Sequence, residues 1–271
     1  TWTRREVVVI EHGSDRSIES LVARHGARYG YCRPGGLGSA RQEAVRLAAG
    51  EIVAFIDDDC VPAHDWLEGA VNAFREHPQA WGVQGRTLAE RGPAGAHTIR
   101  VEAPDALYRT CNIAYRRDAI RAAGGFDERF VGWFEDTALG ARISRHGEIV
   151  WQPDMVVTHA AMPRIPMDRR RWRILLNDER NLARYYRGFY WRTRCPGFTA
   201  TVLSRWLIGS PLKSAVRELP RARSDPAGYM RLVLLLVRER AALLHVLANM
   251  VRRSSEGDGT EREPSPPAVI D

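Results

Sequence analysis

The segment EIVAFIDDDCVP, residues 51–62, runs an apolar strand straight into three carboxylates. A short apolar run bounded by helix-like segments reads as a strand buried on both faces, and such strands belong to sheets covered by helices. Its neighbours fit. PGGLGSARQEAVRLAAG (34–50) reads as a glycine turn opening a helix that stops at Gly50, and AHDWLEGAVNAFREH (63–77) reads as the next helix. The charges need an explanation. Two like charges about 4 Å apart repel by roughly 4 kcal/mol at an effective dielectric near 20. Asp57, Asp58 and Asp59 therefore call for a cation nearby, or for protons.

The same alternation extends along the first 160 residues. EVVVI (6–10) reads as a strand, SDRSIESLVARHG (14–26) as a helix capped by Ser14 or Asp15, and ARYGYC (27–32) and WGVQGRT (81–87) as strands. Helices over 116–125 and 134–147 and strands over 148–152 and 155–160 follow. This order predicts an α/β fold with a Rossmann-like, mainly parallel sheet. Ligands of such sheets sit beyond the carboxyl ends of the strands, where the aspartates lie.

Helices over 167–190, 200–219 and 227–252 complete the pattern, and the polar tail 254–271 reads as disordered. The chain divides on this reading into residues 1–165, a basic helical extension 166–253, and the tail. Of the net charge of +7, residues 164–253 carry +14, from 20 Arg and Lys against 6 Asp and Glu. A rear segment so charged suits an anionic surface. In 229–252, Arg231, Arg238, His245 and Arg252 recur every seven positions beside a wide apolar circumference, as in a helix that packs on protein or lies in a bilayer interface. The best apolar run, LVLLLV at 232–237, is far short of the ~18 residues of a spanning helix. RRRWRILLNDERNLARYYRGFYWRTR (169–194) mixes arginines with aromatics, yet no nucleic-acid motif accompanies it. Four scattered cysteines and no visible signal peptide suggest reduced thiols in a cytoplasmic protein.

Four motifs stand in order: FIDDDCVP (55–62), TCNIAYRRDAIRAAGGFDERF (110–130), GWFEDTALGARISRHG (132–147) and VVTHA (156–160). With GGLGSARQEAVRLAAGEIVAFID before them, they resemble the bacterial family 2 glycosyltransferases of the GT-A fold, over residues 6 to about 190. The resemblance implies an inverting transferase that moves a sugar from a nucleotide-diphosphate sugar to a hydroxyl acceptor in envelope or lipid-linked glycan synthesis. It also implies a divalent cation, Mg²⁺ or Mn²⁺. Hard cations take carboxylate and diphosphate oxygens, so an aspartate cluster at a strand end is a suitable seat. By resemblance Asp59 and His159 hold the metal, while Glu11, Arg41, Asp57 and Asp58 face the nucleotide sugar. Asp136 is the base, and Asn112, Trp133 and Glu135 meet the acceptor. Glu11 stands where the family has an aspartate, and Gln42 replaces an asparagine after Arg41.

Each feature also has a plainer reading. The aspartates fit a solvated turn, Glu135 and Asp136 a helix-dipole pair, His159 a satisfied polar residue and Asn112 a turn residue. A nucleotidyltransferase on a similar sheet is the second enzyme class, although GGLGSAR only faintly suggests its triphosphate loop. A truncated transferase domain acting as a binding module is the third. The family's opening strand and helix precede the strand that here is EVVVI, so the sheet is expected to lack its first strand. The edges of 6–10 and 51–56 would then stay apart or pair directly.

Overall fold

The computed structural model describes residues 4–13, 17–33, 35–93, 96–186, 189–190 and 202–255. The expected cap at Ser14 or Asp15 and residues 256–271 of the polar tail lie outside these. The chain forms two compact units, residues 1–91 with 98–161 and residues 92–97 with 162–271.

In the first unit β1 (Val8–His12) and β2 (Arg28–Cys32) pair in parallel around α1 (Glu19–Arg24), and α2 (Leu37–Leu47) packs on both strands. A second sheet has the order β3 (Ile52–Phe55), β6 (Ile113–Arg116), β5 (Gly82–Ala89), β7 (Ile149–His159), β4 (Cys60–Pro62). Side-chain alternation decides its two faces. Val53, Phe55, Ile113 and Tyr115 join Val45 of α2, Ile120 of α4 (Arg117–Ala122) and Leu139 and Ile143 of α5 (Glu135–His146). Ile52, Ala54, Ala114, Val83, Val150 and Val157 face Trp66, Ala70, Ala73 and Phe74 of α3 (Trp66–Glu76).

The α/β class holds, but the sheets are mixed rather than mainly parallel. β3–β6, β6–β5 and β4–β7 are antiparallel, and only β1–β2 and β5–β7 are parallel. The difference comes from β6, four residues directly before a helix, which inserts between β3 and β5, and from β4, which runs back along β7. β1 and β3 do not pair with each other. The two strands expected over 148–152 and 155–160 are one, β7, with a register shift: Gly85 opposes Gln152 and Arg86 opposes Val156. Gly85 is required there, because a Cβ would lie 2.3 Å from the Met155 carbonyl and 2.5 Å from Asn112 Nδ2.

The second unit is helical: α6 (Arg169–Tyr185), a π-helical stretch Val202–Gly209, α7 (Ser210–Glu218) and α8 (Pro226–Ser255). Asp168 caps α6 by accepting from Arg171 N–H at 2.8 Å. The buried Glu239 joins α8 to the chain before and within α6. It accepts from Arg164 at 2.7 Å and from Met167 N–H at 3.0 Å, while its carbonyl accepts from the Trp172 indole at 2.9 Å. Glu239, amid the apolar residues of α8, is thus held in a buried ion pair.

Candidate active site

β3 ends at Phe55, and the aspartates follow in a turn closed by Cys60 N–H on the Asp57 carbonyl. The chain then runs antiparallel to β7, with Cys60 opposite His159 and Ala160 N–H bonded to the Asp59 carbonyl at 2.8 Å. This hairpin-like pairing brings together residues a hundred positions apart. His159 Nε2 lies 3.5 Å from Asp59 Oδ2, and Nδ1 lies 2.8 Å from the Ala160 carbonyl. A carbonyl only accepts, so Nδ1 carries the proton, and in the neutral ring Nε2 turns its lone pair toward Asp59. In that form two electron-rich groups, one buried and one half-buried, face each other, an arrangement that suits a cation between them. Asp59, Cys60 and His159 place ligand atoms within 4.8 Å of one another. Cys60 fits least, because hydrogen bonding to Cys111 and burial push its thiol far above the ordinary range. The remaining oxygen and imidazole donors fit a divalent ion such as Mn²⁺.

Arg41, on α2, ties the strand end to α5. Its guanidinium bonds to Glu135 and lies 3.1 Å from Asp57 Oδ1. Burial would lower its pKa, but Glu135, Asp57 and Asp136 raise it instead. α2 reaches this position because Gly36 lets the chain pass the Phe130 carbonyl, 2.7 Å from where a Cβ would stand. Asp136 lies in the first turn of α5, with Oδ1 accepting from Thr137 N–H at 2.6 Å and Oδ2 from Thr110 N–H at 3.4 Å. Burial pushes its carboxyl above the usual range, against the lowering effect of Arg41 and those two N–H groups. Among the described residues Tyr108 and Phe134 are the non-glycine residues at positive φ, 48° and 70°. Phe134 sits two residues before Asp136 and Tyr108 two before Thr110. Such strain collects where a surrounding structure fixes a functional geometry.

The model of "Glycosyl transferase family 2" matches residues 1–126. The glucosyl-dolichyl phosphate glucuronosyltransferase of Haloferax volcanii is 28% identical over 113 residues, covering 34% of each chain. The chain thus spans about a third of the length of that curated relative. TarS 1–349 of S. aureus has a TM-score of 0.51 at 16% identity, covering 95% of this chain and 84% of that one. The mannosyltransferase PcManGT of Pyrobaculum calidifontis, in complex with GDP-Man and Mn²⁺, has a TM-score of 0.51 at 19% identity, covering 90% and 78%. These likenesses show the GT-A fold.

Within the matched segment, Asn112 departs from its expected place at the acceptor. It is 2% exposed, its Oδ1 accepts from the Trp66 indole at 2.8 Å, and its Nδ2 donates to the Arg86 and Met155 carbonyls at 2.8 Å. A carboxamide so engaged fastens the β5–β7 bulge and has no reach to an acceptor. Gln42 likewise turns inward and accepts from Phe126 N–H at 2.9 Å. Glu11 accepts from Ser17 N–H and Tyr29 O–H, each at 2.8 Å, and so ties β1 to Ser17 and to β2. Asp58 is exposed and Asp57 half-buried at the strand end. Trp133, Glu135, Asp136 and His159 lie beyond the matched segment but in the same unit. Trp133 is half-buried just before α5. Sequence reading passed over Thr110 and Cys60. The signal for Cys60 was its place next to Asp59, but only the pairing with β7 gives that place meaning.

Proposed function

We propose that this protein is an inverting, metal-dependent glycosyltransferase that moves a sugar from a nucleotide-diphosphate sugar to a hydroxyl acceptor. The observation that carries the reading is the joining, in one GT-A unit, of the Asp59–His159 pair with the Arg41 bridge from Asp57 to Glu135 beside Asp136. Asp59 and His159 hold the divalent ion, which when bound neutralises charge on the leaving diphosphate. Asp57 and Asp58 meet the donor's ribose and sugar, with Arg41 fixing the first of them. Glu11, bonded to Ser17 near the end of β1, lies on the nucleotide side. Asp136 takes the proton of the acceptor hydroxyl as the anomeric carbon is attacked from the face opposite the diphosphate. Its raised pKa brings it nearer the pH at which it works and makes it a stronger base than an exposed aspartate. Glu135 and Trp133 line the acceptor side.

TarS has also been solved with UDP-GlcNAc, and the Haloferax relative is named for a dolichyl phosphate. These support a nucleotide-sugar donor and a glycan or lipid-linked acceptor. The basic helices of residues 166–253 then meet an anionic membrane, peripherally on the inner face of the plasma membrane. Among the described residues no helix is long and apolar enough to cross one.

The test is a panel of UDP- and GDP-sugars with Mn²⁺, scored by thermal shift and by slow donor hydrolysis. One donor should stabilise the wild type only with metal, and Asp59→Asn should abolish the shift. A donor shift of equal size in EDTA would remove the metal from the account.

A further inference from the structure

α8 has two apolar faces. Leu232, Leu236, Leu243 and Val246 are at most 5% exposed and pack inside the unit. Met230, Leu234, Val237 and Leu244 are 55, 62, 63 and 51% exposed. At ~100° per residue the second set lies roughly opposite the first. A helix needs one apolar face to pack, so the second asks for an occupant.

The stripe's spacing of four, three and seven would suit a coiled coil with a second copy. Its charge does not. Arg231 and Arg238 are exposed along one flank, and the only acid between residues 226 and 253 is Glu239, buried on its own ion pairs. Two copies packed along this stripe would set arginine against arginine. α7 and its flanks repeat the composition. Ile208, Leu212, Val216 and Leu219 are 55–60% exposed, with Lys213 and Arg217 exposed beside them. An occupant that is apolar within and anionic at its surface satisfies both features.

We propose that the Met230–Leu234–Val237–Leu244 stripe of α8 inserts among the acyl chains of an anionic lipid surface, with Arg231 and Arg238 on the headgroups. This rests on the membrane contact proposed above and assigns it to one helix face. The opposite face keeps the helix fixed in its unit, so α8 docks as a folded element lying flat.

The whole chain is tested by flotation with vesicles of phosphatidylcholine alone and with phosphatidylglycerol added, at low and high salt. Light scattering gives its oligomeric state. The wild type should float with the anionic vesicles and less at high salt. Leu234→Ser with Val237→Ser should weaken that binding about tenfold or more, since two side chains of this size leave the acyl region. Arg231→Gln with Arg238→Gln should remove most of the salt dependence. Both pairs are exposed, so melting and donor binding should match the wild type. If the wild type floats but Leu234→Ser/Val237→Ser floats equally, the membrane reading stands and this face is wrong. If the wild type does not float, both fail. If it is a dimer in solution that Leu234→Ser/Val237→Ser dissociates, a second copy covers the stripe and the proposal is overturned.

Discussion

Arg41→Met tests how the site is held together. The substitution keeps the unbranched apolar stem and removes the charge between two carboxylates of unequal burial. The Glu135 side chain is 4% exposed and that of Asp57 30%. Loss of a partner from a buried ion pair costs about 3–5 kcal/mol, because the remaining charge stays out of water. The half-exposed Asp57 behaves more like a surface pair and adds about 0–1 kcal/mol. The total is a large share of a typical roughly 5–15 kcal/mol. Urea denaturation should show the midpoint falling at constant slope. Glu135→Gln added to Arg41→Met should recover much of the loss, with a coupling of about 2–3 kcal/mol in the double-mutant cycle. The same substitution takes from Asp136 its largest pKa-lowering influence. The base must be ionised, so activity falls as pH drops through its raised pKa, and Arg41→Met should move that acid limb to higher pH. A cost below about 1 kcal/mol, or no recovery by Glu135→Gln, would refute the bridge as a buried ion pair.

Asp136→Asn should lower turnover by about 10²–10⁴-fold with donor affinity retained. A folded pKa raised above the unfolded one stabilises at low pH and is lost as pH rises through it, so Asp136→Asn should also melt higher than the wild type near pH 7 and no higher near pH 3. His159→Ala should weaken Mn²⁺ binding by about 10–100-fold, read by calorimetry in the presence of nucleoside diphosphate, and Cys60→Ser much less. Gly85→Ala should destabilise by about 1–3 kcal/mol, since its Cβ meets a backbone carbonyl that cannot step aside.

The strand that ends in three aspartates was legible because local physics writes it. A short apolar run between two helix-like segments ends in three charges, and that pattern needs no distant partner to be read. What escaped depends on contacts across the chain. β6 is too short to show a period and merges with the helix after it. Asn112 was placed at the acceptor by resemblance alone, and only the packing of Trp66, Arg86 and Met155 around it shows its carboxamide taken up. Arg41 was legible as a cation near the site, but its partners are 16 and 94 residues away. The antiparallel pairing that gives His159 to Asp59 likewise has no local signature.

The register shift in β7 bears on which way His159 points. Val150 pairs with Val83 and His159 with Ala89, and residues 83 and 89, six apart, share one face of β5. Yet 150 and 159 are nine apart, an odd number, and strict alternation would send them to opposite faces. The three residues 153–155, which have no counterpart between Gly85 and Arg86, therefore leave strict alternation, and β7 resumes its pairing at Val156 in phase with β5. His159 is thus oriented by its pairing with Ala89 and Cys60 rather than by its distance along the chain from Val150. Shortening the excursion would leave the imidazole facing Asp59 as long as Val156–His159 keep their partners, whereas a one-residue slip of that pairing would turn it to the other face.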